Sequence, residues 1–319
     1  MSGGCRATNI TYMSTVRIDW TALPPVDFIT GAVSIGNFDG VHRGHRELVT
    51  ATISEARRVG GPAVIITFDP PPLAVLHPPA LKPPLSTPVE RAKLLLASGA
   101  DGVAILNTNA SLLALSPEAF FEDVILGLFQ ARAVVEGFNF RFGHGRTGTN
   151  ATLRELCAKH CVRFVEVAPL EDEGEAVSSS RVRAALVVGD VTTAAILLGR
   201  AYGIRGVVVE GARRGRTIGF PTANIGPVAT LVPKDGVYAV RVIMNGLRHA
   251  GAANVGPNPT FGDHAQKIEV HLIDFSGDLY GQEIRVEFIR RLRDTRPFAG
   301  VSELVEQLHR DVEASRAAG

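Results

Sequence analysis

The sequence predicts two domains of different class. Residues 16–187 read as an α/β domain, a parallel sheet covered by helices, and residues 188–319 as a small antiparallel β-barrel followed by a C-terminal helix. Three observations predict this. Between Val33 and Val167 apolar runs of strand length alternate with stretches of helical periodicity, the mark of a parallel sheet. Around residues 189–200 the alternation stops, and strand-like runs then follow one another with glycine turns and no helix between them. The length of 319 residues suits about two domains.

Taken in order, residues 1–20 lack the apolar core of a secretory signal. They are acid-poor and contain Ser and Thr, so a transit peptide is one reading; a frayed tail is the preferred one, with Met13 a possible start. Residues 28–35 form the first buried strand. It stops at Gly36, turns through Asp39-Gly40 and enters a helix near Gly44, where Val49, Ile53 and Ala56 recur at helical spacing. Residues 63–68 are a second buried strand, ended by Asp69-Pro70-Pro71-Pro72. The proline-rich stretch 69–88 predicts an extended loop. Thr87-Pro88-Val89-Glu90 opens a helix: Thr87 caps, Pro88 takes the first turn and Glu90 completes a capping box. Strands at 102–106, 131–136 and 162–167 follow, with helices opening at Ser116-Pro117 and running over 150–160. The barrel strands fall at 204–210, 237–243, 249–255, 267–275 and 284–292, and the last helix starts at about Val301.

Composition excludes several function classes. Lys+Arg 33 against Asp+Glu 32 leaves a net charge of +1, so neither nucleic acid nor a membrane surface is an expected partner. The three cysteines, Cys5, Cys157 and Cys161, are too few and too odd in number for a disulfide framework and fit a reducing, cytoplasmic compartment. No apolar run is long enough to span a bilayer. Oligomeric state has no sequence signal.

The chemistry concentrates in five stretches. Gly36-Asn37-Phe38-Asp39-Gly40-Val41-His42-Arg43-Gly44-His45 is a strand–turn–helix that aims backbone N–H groups and a positive helix end at one point, which suits a phosphate. His42 and His45, around Gly44, can face the same anion; the plainer reading is a helix start with two surface histidines. Gly143 to Gly148 matches G-x-G-x-x-G, with Glu166 at the offset of a ribose-binding acid. A dinucleotide site ranks second here, because the unit falls late in the sheet and Arg141 and Arg146 flank the turn as a phosphate clamp would. Ser178-Ser179-Ser180-Arg181-Val182-Arg183 starts a helix with three hydroxyls and two guanidiniums, a second anion site or a redundant cap. Gly211, Gly215 and Gly219 space a loop that backbone could press against phosphates, without the Lys-Ser/Thr ending of a Walker loop. After it, Thr222 and Asn224 offer neutral oxygens two residues apart, acceptable to ATP-bound Mg²⁺. On 268–272 the alternation places Ile268, Val270 and Leu272 on one face and Glu269 with His271 on the other. Cys157, His160 and Cys161 share a helix face, but no second cluster completes a zinc site, and two buried cysteines beside a surface histidine are expected.

These motifs carry a resemblance. The H-x-G-H pair resembles the nucleotidyltransferase superfamily signature, and G-N-F-D-G-V-H-x-G-H is similar to that of bifunctional riboflavin kinase/FAD synthetases. Phe138 to Gly148 resembles their F-x-F-G-x-x-R-x-G segment, and Ser178 to Arg183 their I-S-S-T-x-x-R motif with Ser180 for threonine. Pro221-Thr222-Ala223-Asn224, Gly236-Val237-Tyr238, Asn254 to Phe261 and the E-V-H-L stretch from Glu269 resemble riboflavin kinase. The resemblance runs from about residue 29 to 311. It implies a Rossmann-like nucleotidyltransferase domain that makes FAD from FMN and ATP, and a kinase barrel that makes FMN from riboflavin and ATP with Mg²⁺.

The resemblance also assigns roles. His42, His45, Ser179, Ser180 and Arg183 would hold the triphosphate with Gly36, Asn37, Phe38, Asp39, Gly40, Gly44 and Arg146. In the barrel, Gly211, Gly215, Arg216, Gly219 and Pro221 would meet ATP, Thr222 and Asn224 the metal, and Glu269 would be the base. Asn139 and Arg293 would meet flavin, Arg293 as part of a lid. Two positions depart from the family. Pro71 stands where D-P-H-P has histidine, and Glu210 where a histidine is frequent. Rival readings are a riboflavin kinase with a silent nucleotidyltransferase domain and a non-enzymatic flavin-binding regulator, the latter opposed by intact His42, His45 and Glu269.

Overall fold

The computed structural model describes residues 14–23, 26–80, 82–211, 215, 218–258 and 263–318, without the side chains of 80, 257, 258 and 263–266. Contacts divide the chain into two compact units, Met1–Leu81 with Ser86–Val177 and Lys82–Leu85 with Ser178–Gly319.

The first unit is a parallel sheet of six strands: β1 (Ser14–Ile18), β2 (Ala32–Ile35), β3 (Ala63–Asp69), β4 (Gly102–Asn107), β5 (Ala133–Gly137) and β6 (Arg163–Val167). Their spatial order is β1-β4-β3-β2-β5-β6. Between them run α1 (Arg43–Val59), α2 (Pro72–Leu76), α3 (Pro88–Ala97), α4 (Ala110–Leu113), α5 (Pro117–Ala119) and α6 (Asn150–Lys159), with α5 continuing as a π-helix, Phe120–Leu128. A small hairpin, β7 (Glu171–Asp172) and β8 (Glu175–Ala176), follows. The central strands are apolar throughout because both faces are covered. Val33, Ile35, Val64 and Ile66 pack with Phe121, Val124, Ile125 and Leu153 on one side. Ile65, Val103 and Ile105 pack with Val49 of α1 and with Ala92 and Leu95 of α3 on the other. From β2 the chain builds outward to β3 and β4, then returns to lay β5 on the far side of β2. The crevice beyond the carboxyl ends of β2 and β5 is therefore the topological switch point, the usual ligand position in such sheets.

The second unit opens with α7 (Ser179–Val188) and α8 (Val191–Leu198) and continues as a closed antiparallel barrel. Its strands are β9 (Tyr202–Val209), β10 (Ala223–Ile225), β11 (Gly236–Met244), β12 (Leu247–Asn258), β13 (Asp263–Leu272) and β14 (Glu283–Arg293), in spatial order β10-β13-β12-β11-β14-β9. The last helix is α9 (Val301–Arg316). The β11–β12 hairpin closes through Asn245-Gly246, both at positive φ (48° and 78°), the two-residue turn whose twist matches paired strands.

Three expectations are corrected. Residues 14–18 are not tail: they pair in parallel with β4 as the sheet edge, on register contacts that local pattern does not reveal. The stretch 69–88 is not wholly extended, since it holds α2 and a 3-10 turn, Pro78–Ala80; Pro72 stands in the first helical turn, where its missing N–H costs nothing. The barrel also needs β10, three residues that are too short to show a period.

Candidate active sites

In the first unit the Gly36–His45 stretch leaves the carboxyl end of β2 and enters α1. Phe38 and Val41 are left-handed, with φ 46° and 43°, a conformation costing about 1–3 kcal/mol each in non-glycine residues. Both side chains are buried against Val49 and Ile65, and burial of each contributes about 1.5–3 kcal/mol, which offsets the strain. The apolar side chains thus point into the core. Gly36 N–H donates to the Ile66 carbonyl at 3.0 Å. Asp39 accepts from the Ser86 N–H (3.1 Å) and hydroxyl (3.3 Å), and Gly40 N–H donates back to the Ser86 hydroxyl at 2.9 Å. Asn37 is exposed, and its carbonyl accepts from the Thr67 hydroxyl at 3.2 Å.

His42 caps α1: its Nδ1 accepts the His45 N–H at 3.3 Å, so in the neutral ring Nε2 carries the proton and is a donor. The two imidazoles stack with centroids 3.5 Å apart, tilted by 20°. A Cβ at Gly44 would lie 3.3 Å from the His42 ring, a tight contact. The structure thus brings the two histidines and the strained turn together at the switch point.

Asn139 follows β5 and is exposed. Arg146 lies in an exposed loop pinched shut by the Phe142–Gly148 bridge. The glycines of this loop have packing reasons: a Cβ at Gly143 would meet Pro117 at 2.6 Å, and one at Gly148 would meet Phe142 at 2.7 Å. Glu166 is paired with Arg154 at 2.8 Å. Cys157 is buried, and desolvation pushes its thiol up to about 12. Cys161 is exposed, which corrects the expected buried pair: α6 ends at Lys159 and Cys161 lies in the turn after it. No group of three or more His, Cys, Asp or Glu suited to a metal occurs among the described residues.

Sequence reasoning missed Ser86, Thr67 and Arg91. Arg91 is 2% exposed and donates to the Thr67 hydroxyl (3.0 Å) and the Phe68 carbonyl (3.2 Å). Its only signal in the sequence is a charge beside the buried stripe Ala92 and Leu95 of α3.

In the second unit, Ser178 caps α7 by accepting the Arg181 N–H at 3.3 Å, which leaves Ser179 and Ser180 in the first turn. Arg183 donates to the Pro83 carbonyl. The barrel site is built on register. Asn224 on β10 stands opposite Glu269 on β13, and Glu269 stands opposite Asn254 on β12. Directly opposed residues share a face, so the three form one polar row. Ile268, Val270 and Leu272 are buried on the other face. Gly211 lies against this row: a Cβ there would fall 2.1 Å from Asn224 Nδ2. A Cβ at Gly215 would meet the Phe220 carbonyl at 2.2 Å and lie 3.6 Å from the Thr222 hydroxyl. Gly211 therefore lies directly against Asn224 and Gly215 close to Thr222, on the strand next to the one that carries Glu269. Gly219 is at φ 87°, and the Pro221 carbonyl accepts from His271 Nδ1 at 2.8 Å. Arg216 lies outside the described residues, as do Pro259, Thr260 and Phe261. Arg293 makes a two-pronged ion pair with the buried Asp311 of α9, at 2.7 and 3.1 Å, which ties the end of β14 to α9. Asn254 and His271 were not singled out by sequence reasoning as site residues; Asn254 joins the row through its register with Glu269, and His271 lies two residues along β13 on the Glu269 face.

Comparison with known proteins identifies both domains. Residues 27–181 match the FAD synthetase family and residues 198–318 the riboflavin kinase family. The bifunctional riboflavin kinase/FMN adenylyltransferase of Bacillus subtilis (strain 168) is 38% identical over 288 residues, covering 88% of this chain and 89% of that one. The Escherichia coli (strain K12) protein of the same name is 35% identical over 280 residues, 88% and 90%. That of Listeria monocytogenes is 35% identical over 305 residues, 94% of each. A Streptococcus pneumoniae crystal structure named as a macrolide-efflux protein superposes with a TM-score of 0.85 at 34% identity, over 95% of this chain and 98% of that one. No helix among the described residues of this chain is long and apolar enough to cross a membrane. Carrying a riboflavin kinase domain and an FAD synthetase domain in one polypeptide, the chain belongs to the bifunctional riboflavin kinase/FMN adenylyltransferase family.

Proposed function

We propose that the chain makes FMN and then FAD, with the reactions divided near residue 188. The observation that carries the kinase half is the Asn224–Glu269 pair lying under Gly211. Glu269 accepts the proton of the riboflavin 5′-hydroxyl as that oxygen attacks the γ-phosphorus of ATP, and the bond to ADP breaks. The Thr222 hydroxyl and Asn224 amide oxygen, hard neutral donors in a cradle that a Cβ would fill, suit Mg²⁺. Bound there with ATP, the ion would neutralise charge on the phosphates. Gly211, Gly215, Gly219, Arg216 and Pro221 shape the loop around the nucleotide, and Arg293, fixed by Asp311, orders the flavin end.

The second reaction joins the FMN phosphate to the α-phosphorus of another ATP and expels pyrophosphate. The nucleophile is already an anion, so no base is needed and the task is charge stabilisation. His42 and His45, with the Gly36–Gly44 turn, bind the triphosphate, assisted by Ser179, Ser180, Arg183 and Arg146; Asn139 meets the flavin. The free thiols fit a cytoplasmic setting, and ATP, riboflavin and FMN are the partners.

Incubation of the pure protein with riboflavin, ATP and Mg²⁺, with FMN and FAD resolved by chromatography, tests this reading. Both products are expected. FMN alone would identify a kinase with a silent first domain, with Pro71 the first suspect. Neither product would favour a flavin-binding regulator.

A further inference from the structure

We infer that Arg91 and Thr67 are positioning residues for adenylyl transfer, holding the Asn37–Phe38 peptide with its carbonyl turned into the protein and its N–H turned to the phosphates. The inference rests on the reading of the first unit as the transferase.

A hydroxyl carries one proton. Arg91 Nη1 donates to the Thr67 oxygen at 3.0 Å, so the Thr67 proton goes to the Asn37 carbonyl, 3.2 Å away. The relay has a direction, from guanidinium to hydroxyl to peptide. A trans peptide is planar, with its C=O and N–H pointing opposite ways. Fixing the Asn37 carbonyl toward Thr67 therefore points the Phe38 N–H away from the sheet. That N–H has no acceptor among the described residues.

The peptide needs holding. Phe38 sits at φ 46°, which a phenylalanine adopts only under constraint. Rotating the Asn37–Phe38 peptide by half a turn would return Phe38 to an extended φ. It would also replace a donor facing the phosphates with a carbonyl oxygen that repels them. The relay opposes that rotation from behind the turn, while the Ser86 contacts to Asp39 and Gly40 fix the next two residues.

Arg91 is larger and more polar than a filler requires. Its guanidinium is buried and Nε has no acceptor among the described residues. Burial pulls its pKa down, and the Asp39 and Asp69 carboxylates hold it up. A charged donor polarises the Thr67 hydroxyl and strengthens its bond to the carbonyl.

The test uses full-length protein labelled with ¹⁵N-phenylalanine, pyrophosphate as the probe, and Thr67→Val, Arg91→Met and Arg91→Lys. In the unmodified protein the Phe38 amide resonance should move downfield on adding pyrophosphate. Thr67→Val and Arg91→Met should abolish that movement and lower kcat for FAD formation from FMN on the order of 10²-fold, the scale of one preorganised donor, with KM for ATP changing much less. Arg91→Lys, which keeps one charged donor, should recover part of both. Riboflavin phosphorylation and a melting curve report folding. A Phe38 amide indifferent to pyrophosphate in the unmodified protein overturns the inference, as do folded Thr67→Val and Arg91→Met proteins with unchanged kcat and amide response. An unmodified protein that makes FMN but no FAD overturns the transferase reading instead, and the amide response still decides the relay.

Discussion

Glu136 accepts the backbone N–H of Ile35 at 2.6 Å, across the point where β2 and β5 stop pairing. The ladder between them covers Ala32 with Ala133 and Val33 with Val134, and the side chain takes over from backbone as the strands part. This carboxyl is 2% exposed, and desolvation pushes its pKa well above the usual carboxylate range, against the opposing pull of the Ile35 and Gly137 N–H groups.

A raised folded pKa means the folded state holds this proton more tightly than the unfolded chain. The stabilisation is fully present below the unfolded value, near 4.5, and is lost as pH rises through the folded value. Glu136→Gln keeps an acceptor for Ile35 and cannot ionise. Its melting temperature should exceed that of the unmodified protein at pH 8, with the gap closing as pH falls toward 4.5. A gap that is constant across this range would mean that Glu136 titrates normally.

How far the sequence reveals the two sites depends on how local their causes are. The strand–turn–helix around His42 and His45 is legible because β2, α1 and the turn are contiguous and both histidines fall within one turn of helix. Glu269 is legible as a face but not as part of a row: its neighbours Asn224 and Asn254 come from strands 45 and 15 residues away in sequence, by subtraction of the registered positions. Thr67 and Arg91 meet across a separation of 24 residues, and nothing in either local pattern names the other. β10 escapes because three residues cannot display a period. Arg293 shows the converse case, in which family likeness suggests a flavin contact and the structure adds a pairing with Asp311 that composition could not supply.

Gly211→Ala tests the cradle over Asn224. The new Cβ would fall 2.1 Å from the amide nitrogen of Asn224, so loop or side chain must move. Riboflavin phosphorylation should fall on the order of 10²-fold, the cost of about 1 Å of misplacement. FAD formation from supplied FMN should be unchanged. Equal loss of both activities would indicate unfolding, to be checked by melting; no loss of phosphorylation would remove this loop from the nucleotide.

Glu269→Gln separates base from scaffold. Flavin should still bind, as read by quenching of its fluorescence, while phosphorylation slows on the order of 10²–10⁴-fold, the range for removal of a general base. Asn224→Ala should instead weaken productive MgATP use, visible as a rise in the Mg²⁺ needed for half-maximal rate. Turnover near that of the unmodified protein in Glu269→Gln would return this residue to an outward-facing strand position.

His45→Ala decides whether the stacked imidazoles do chemistry. Losing one preorganised donor to the triphosphate commonly costs on the order of 10²–10³-fold in rate. The kinase site stands on the barrel strands, so riboflavin should still become FMN while FAD formation collapses and FMN accumulates. The local risk is structural, because the His45 ring stacks on His42 at 3.5 Å and lies 5.1 Å from Phe38. A melting curve and His45→Gln, which keeps a polar side chain in the first turn, separate a lost donor from a collapsed turn. Recovery in His45→Gln together with an unchanged melting temperature would assign the effect to hydrogen bonding. Arg183→Ala should reproduce the pattern of FMN without FAD, because the same triphosphate is its proposed ligand. A folded His45→Ala protein that makes FAD from supplied FMN at the parental rate would take the histidine out of the reaction and leave His42 as the cap of α1.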